Sequence, residues 1–259
     1  MEYKIKDLIS YIEAWAKPEY QEAWDNSGPQ VLFKEEKTKK VLLALDFTDK
    51  VVEEAIEEKA KLIISHHPMF FEGIKSIEEG TYIGNNIIKL IENRISLYSA
   101  HTSLDIAEEG VNHTLCEILG LKDYRGLSKT DKGYYLGLIS ENNDYNLETL
   151  YKSLKDKLET SKIKIYGVLP KKIERIAICG GSGFSLIDDV IENKADIFIT
   201  GDVKHHDSQK AYENGICLID ISHYYGERPV LNKIKKNLKN NFDIEVLEYL
   251  KNDFEIEIH

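Results

Sequence analysis

Cysteine is scarce in this chain. Three occur among 259 residues, Cys116, Cys179 and Cys217, each within an apolar run and none in a CxxC pair. That spacing argues against a disulfide framework and for buried thiols in a reducing compartment. Basic charge is also in short supply: 34 Lys and Arg against 45 Asp and Glu leave a formal charge of −11 and a pI near 5.3. No basic patch would offset repulsion from phosphates, so a nucleic-acid backbone is not the expected partner. The lysines of 233–239 read as the solvated face of a helix. No apolar run approaches the ~20 residues of a membrane helix, and Met1-Glu-Tyr-Lys-Ile lacks the charged start and apolar core of a leader. A cytoplasmic protein is expected. With five prolines and no Pro/Gly/Ser-rich stretch, no linker marks a domain boundary.

Apolar residues make up 42% of the chain, enough for a sizeable core. Short β-rich runs alternate with amphipathic stretches: strand 41–46, helix 49–60, strand 61–65, helix 84–93, strand 95–99 and helix 107–119. The span 134–168 reads as strand, helix and strand. Strands and helices then alternate through 174–179, 186–195, 196–200, 204–214, 216–221 and 226–239, with closing strands at 243–249 and 254–258. This is an α/β pattern whose continuous apolar strands call for helices on both sheet faces.

The pattern repeats. Val41-Leu-Leu-Ala-Leu-Asp46, Val52 to Ala60 and Leu62-Ile-Ile-Ser65 recur without a gap as Ile176-Ala-Ile-Cys-Gly-Gly181, Ile187 to Ala195 and Ile197-Phe-Ile-Thr200. Glu92-Asn93 leading to His101-Thr-Ser-Leu-Asp105 matches Glu213-Asn214 leading to His223-Tyr-Tyr-Gly-Glu227, with one residue of slippage. The expectation is two similar α/β halves from an internal duplication, 1–125 and 126–259, with the seam near 121–135 and a metal site in the cleft between them. The C-terminal segment is available to pack back on the first half.

Three clusters then fall at strand ends, the edge where α/β sheets place their ligands. Ser65-His66-His67-Pro68 offers two imidazoles able to diverge toward two ions. His101 and Asp105 follow a second strand end, although Asp105 also fits as the N-cap of a helix over 106–119. His223 and Glu227 share one face of a helical turn, and the longer arm of Glu227 suits it to bridge two cations. All three clusters are expected on one sheet edge. Asp202 aligns with His67 and is a candidate to approach the site, whereas His206 and Asp207 are equally suited to capping a helix. Cys179-Gly-Gly-Ser-Gly183 reads either as an anion-binding turn or as a tight turn, since it lacks the lysine of GxxxxGK[ST]. Trp24-Asp25-Asn26-Ser27-Gly28 reads as a structural turn with an aromatic anchor.

Taken together, Trp24 to Gly28, Ala44-Leu-Asp-Phe-Thr48, Ser65 to Pro68, Ala100 to Asp105, Gly181-Ser-Gly183, Thr200-Gly-Asp202, His206-Asp207 and His223 to Glu227 resemble the NIF-three-like dinuclear-metal family, often labelled GTP cyclohydrolase type-two homologues. The likeness runs from about Trp24 to Pro229. It implies a homohexamer of two-domain α/β protomers with two divalent ions per subunit. His66, His67, Asp105, His223 and Glu227 would be the ligands, Glu227 bridging, with His101 a further ligand or the proton-transfer group. Pro29 departs from the family's usual leucine, and the central span is too short for the domain that longer members insert. Zinc, iron, manganese and nickel all suit such a donor set. The resemblance points to a metal-dependent hydrolase with a small-molecule substrate, GTP or another purine nucleotide being the candidate. The alternative is a non-enzymatic, metal-handling hexameric scaffold.

Overall fold

The computed structural model describes residues 1–141 and 145–254. The chain divides into two compact units, Met1–Ala107 with Leu231–His259, and Glu108–Val230.

The first unit is built on a five-stranded sheet in the order Glu245–Tyr249, Lys40–Ala44, Leu62–Ser65, Ser96–Ser99, Gly28–Val31. The first four strands are parallel and the last is antiparallel. Every residue of Leu62–Ser65 and Ser96–Ser99 is buried, as strands covered on both faces must be. Helices Asp49–Glu57 and Tyr82–Glu92 make the crossovers, each started by a threonine. Thr48 accepts from the Val51 amide at 3.3 Å and Thr81 from the Gly84 amide at 3.1 Å, satisfying donors that a helix start leaves open. The closing strand expected at 243–249 is Glu245–Tyr249, paired with Lys40–Ala44 in the first unit's sheet. The strand expected at 254–258 lies, beyond Phe254, outside the described residues.

The second unit carries a six-stranded sheet, Tyr124–Lys129, Tyr135–Ser140, Ile176–Ile178, Ile197–Thr200, Cys217–Asp220, Lys164–Gly167. Its three central strands are parallel, flanked by Tyr135–Ser140 and Lys164–Gly167, each paired antiparallel, and Tyr124–Lys129 pairs antiparallel with Tyr135–Ser140. Val41 pairs with Leu62 and Ile176 with Ile197, so the two units repeat one strand-helix-strand register. Fold class is mixed α/β, as the alternation predicts.

Two expectations need correction. The donor clusters do not share one sheet edge: His66, His67 and His101 follow strands of the first sheet, while His223 follows Cys217–Asp220 of the second. Residues 107–119 are not one helix, because Thr102–Ile106 and Val111–Leu119 are separate and Gly110 caps the latter, which leaves Asp105 inside a helical turn and not at an N-cap. The turn at 24–28 runs directly into the edge strand Gly28–Val31, where Pro29 is tolerated because an edge position can dispense with a ladder donor. The region of the expected seam holds the strand Tyr124–Lys129, whose Gly126 lies under the Tyr135 ring; a Cβ there would meet Tyr135 Cγ at 2.2 Å.

All three cysteines are buried and none is in a disulfide. Burial pushes the Cys116 thiol up to about 12, with Glu117 adding to the rise, and the Cys217 thiol up to about 11. At pH 8 neither holds an appreciable thiolate fraction, and the thiolate is the reactive form. Alkylation followed by mass spectrometry should therefore leave Cys116 and Cys217 unmodified in the native protein and label them only on denaturation; rapid native labelling of either would contradict their placement in the core.

Candidate metal centre

In a parallel sheet the carboxyl ends of neighbouring strands lie side by side, and in the first unit those ends carry the donors. The ladder runs past the strands themselves: the amides of His66 and His67 donate to Ala44 O and Leu45 O, and the Ala100 amide donates to Ser65 O. This places His66, His67 and His101 together. Their ring centroids are 5.0, 5.2 and 5.4 Å apart, and one ring nitrogen from each lies within 4.8 Å of the others. Asp105, one helical turn after His101, brings a carboxylate oxygen to 3.6 Å from His66 Nε2.

Each imidazole is held from behind. His66 Nδ1 lies 2.7 Å from the Ala100 carbonyl oxygen, His67 Nδ1 2.8 Å from Asp46, and His101 Nδ1 2.7 Å from Asp25. In the second unit His223 Nδ1 lies 2.8 Å from Asp202. A carbonyl or an ionised carboxylate only accepts, so all four rings donate from Nδ1 and turn Nε2 away from that support. That is the arrangement by which histidines are oriented toward a metal.

Asp25 is the most developed of these supports. Its side chain is fully buried, and besides His101 it accepts from Ser27 Oγ at 2.6 Å, Thr102 N at 3.1 Å and Thr102 Oγ1 at 2.5 Å. Burial pushes its carboxyl up. The hydrogen bond and charge of His101, with the hydroxyls of Ser27 and Thr102, more than offset this and hold it well below the usual carboxylate range. The carboxylate therefore stays ionised and keeps the His101 ring in one tautomer.

In the second unit the turn His223–Glu227 sets His223 Nε2 3.0 Å from Glu227 Oε2, and Glu227 is buried. Two lone-pair atoms at this distance repel unless a cation, proton or metal, lies against both, so the pair suits a cation site. Two strained residues support it. Asp202 and Ser222 both have left-handed backbone, at φ 57° and 63°, which is uncommon outside glycine. The first presents its carboxylate to His223, and the second directly precedes His223, its amide bonded to Asp220 at 2.8 Å.

The glycine loop after Ile176–Ile178 serves Glu227. Gly181, at φ 65°, lies so close that a Cβ would stand 2.0 Å from Glu227 Oε1 and 3.4 Å from His223 Nε2. The Gly180 amide donates to Asn112 and the Gly183 amide to Thr200 Oγ1, so two of the loop's amides are already engaged. Of the two readings of this loop, the tight turn is the one these bonds support. Asp207 accepts from the Lys204 amide at 2.9 Å and caps His205–Glu213, and His206 is exposed on that helix.

Sequence reasoning reached His66, His67, His101, Asp105, His223 and Glu227, and left Asp202 open. It missed Asp25 and Asp46. Asp46 ends a parallel strand beside the one that ends in His66-His67, a signal that was available. Asp25 gave none locally, because its partner is 76 residues away. Trp24 is not a packing anchor: it is 61% exposed, with its ring 5.7 Å from that of His101.

The family model described as Duf34/NIF3 (NGG1p interacting factor 3) matches residues 3–253. The chain is 37% identical over 248 residues to a Clostridium perfringens protein named GTP cyclohydrolase 1 type 2 homolog, covering 94% of each. A Campylobacter jejuni protein of the same name is 35% identical, with 97% of this chain and 99% of that protein covered. Among solved structures, reduced HcgD from Methanocaldococcus jannaschii superposes with a TM-score of 0.85 at 31% identity, covering 96% of this chain and 98% of that one. A Staphylococcus aureus hypothetical protein gives 0.87 at 31%, covering 99% of both.

Two substitutions test the supports. Asp25→Asn should keep the fold by circular dichroism but weaken metal binding by about 10- to 100-fold, the usual cost of losing a carboxylate behind a ligating histidine; undiminished affinity in a metal titration would remove Asp25 from the site. Gly181→Ala should displace Glu227 and lower bound metal as Glu227→Gln does, at a stability cost of only about 1–2 kcal/mol for the left-handed alanine.

Proposed function

This chain belongs to the Duf34/NIF3 family, and on that premise we propose that it is a dinuclear metal-dependent hydrolase. The observation that carries the reading is that His66, His67, His101 and His223 each have Nδ1 engaged by a fixed acceptor, the arrangement that orients an imidazole toward a metal. In this proposal His66, His67, Asp105, His223 and Glu227 are the ligands of a pair of divalent ions. Glu227 bridges, as the sequence resemblance implies. Zinc, iron, manganese and nickel remain equally suited.

Two such ions would supply Lewis acidity and bring the ionisation of water toward neutral pH. The chain's own groups divide the remaining work. Asp46, Asp25 and Asp202 fix ring orientation from behind, and Gly181 leaves the space that Glu227 fills. His101 takes the role of a further ligand in preference to proton carrier, because its ring stands in the same imidazole group as His66 and His67 and is locked by a fully buried carboxylate. Unequal exposure supports turnover over the alternative of a metal-handling scaffold. His66 and Glu227 are buried, whereas the side chains of His67 and His223 keep 18% and 33% of their surface, leaving an approach for substrate that closed structural sites lack.

The names of the relatives suggest a purine nucleotide as substrate, with GTP the first candidate. We place the protein in the cytoplasm as a homohexamer. Among the described residues no helix is long and apolar enough to cross a membrane.

Purified untagged protein should carry about two divalent ions per chain, the count of a two-metal site. His66→Ala and Glu227→Ala should lose them, and full metal content in both would sink the ligand assignment. In a screen of GTP and generic phosphoesters, Asp105→Ala should lose whatever hydrolysis the native protein shows; activity indifferent to that change would have to come from another site.

A further inference from the structure

Two large aromatic rings stand exposed beside the first unit's donors. Trp24 is 61% and Phe71 48% exposed, and their centroids lie 5.7 and 5.6 Å from the His101 ring, both edge-on to it. The pair is 6.0 Å apart with 40° between the planes. An isolated exposed aromatic needs no explanation, but two converging on a candidate ligand form a surface. That surface is held in place. Asn26 Nδ2 donates to Phe70 O at 2.7 Å, joining the turn that carries Trp24 to the loop that carries Phe71. Gln30 Nε2 returns a bond to Asn26 O at 2.8 Å, and the Asn26 amide donates to Asp25 Oδ1 at 2.7 Å. The carboxylate that locks His101 therefore also anchors the turn that presents Trp24.

Resting on the proposed hydrolase site and naming its substrate class, we propose that Trp24 and Phe71 are recognition residues, forming a platform on which a planar aromatic ring of the substrate stacks. A ring inserted between two faces needs about 7 Å, two carbon contact distances of about 3.5 Å each. The observed 6.0 Å and 40° rule out such a slot and describe an open, angled platform. Stacking tolerates any flat heterocycle and selects against substrates without one. The ring's polar substituents are left for the donors around His101. The class is thus a nucleobase or similar heterocycle bearing a hydrolysable polar group, and not a simple sugar phosphate.

GMP and ribose 5-phosphate share sugar and phosphate and differ in the base, so they isolate the platform. Titrated into the purified protein, GMP should bind at least about tenfold more tightly than ribose 5-phosphate, the order of a single stacked base, and should quench Trp24 emission. Trp24→Ala and Phe71→Ala should each narrow that gap while leaving metal content and ribose 5-phosphate affinity unchanged; Trp24→Phe, which keeps a flat face, should retain most of it. Equal affinities for the two probes in the native protein, no detectable GMP binding, or an undiminished gap in both alanine variants would overturn the platform. Sizing by light scattering gives the competing role its own signature: a fall in mass with the gap retained would assign the pair to contact with a second copy of the chain. The hydrolase reading fails separately, on metal content, because the gap between probes can be read in metal-free protein.

Discussion

The hydrogen bond from an imidazole Nδ1 to a fixed acceptor is the constraint on which the rest of this site depends. A histidine free to rotate or change tautomer offers a donor atom in no reliable direction, whereas one held from behind offers Nε2 along a set line. The chain solves this problem four times, with a main-chain carbonyl for His66 and carboxylates from Asp46, Asp25 and Asp202 for His67, His101 and His223. The sheets supply the registration. Parallel pairing brings Asp46 and His67 to adjacent strand ends, and the same ladder carries Ala100 to His66. Buried carboxylates are costly unless their bonds are made, and Asp25, with bonds from His101, Ser27 and Thr102, meets that cost.

Backbone strain and missing side chains complete the second donor pair. Asp202 and Ser222 adopt left-handed backbone on either side of the task of placing His223, and Gly181 yields the space beside Glu227 that any Cβ would occupy. These are features of local geometry with a shared result: one imidazole and one carboxylate facing each other at 3.0 Å. In the first unit the corresponding pair, His101 and Asp105, is used differently. His101 joins two other imidazoles, and Asp105 turns toward His66.

Much of this was legible in the sequence, and the parts that were not share a cause. Strand and helix alternation predicted the elements from Lys40 to Ser99 and from Ile176 to Asp220 closely, because buried parallel strands are short apolar runs and crossover helices are amphipathic. Donor residues were visible as His and acid at strand ends. Edge strands were harder: Gly28–Val31 contains Pro29 and Tyr124–Lys129 mixes charged with apolar residues, so neither shows the pattern of a covered strand. Supports behind the ligands were hardest. Asp25 and His101 come together where Gly28–Val31 pairs with Ser96–Ser99, and a turn of Trp, Asp, Asn, Ser and Gly looks the same in sequence whether or not its acid is committed to a distant histidine.

The claim that the imidazoles are preset for ligation is tested most directly by their tautomers in metal-free protein. Nitrogen-15 NMR of histidine-labelled protein should find His66, His67, His101 and His223 each carrying a proton on Nδ1. Rings with a bare Nδ1 at these four positions, or the rapidly averaging signals of free imidazole, would contradict it.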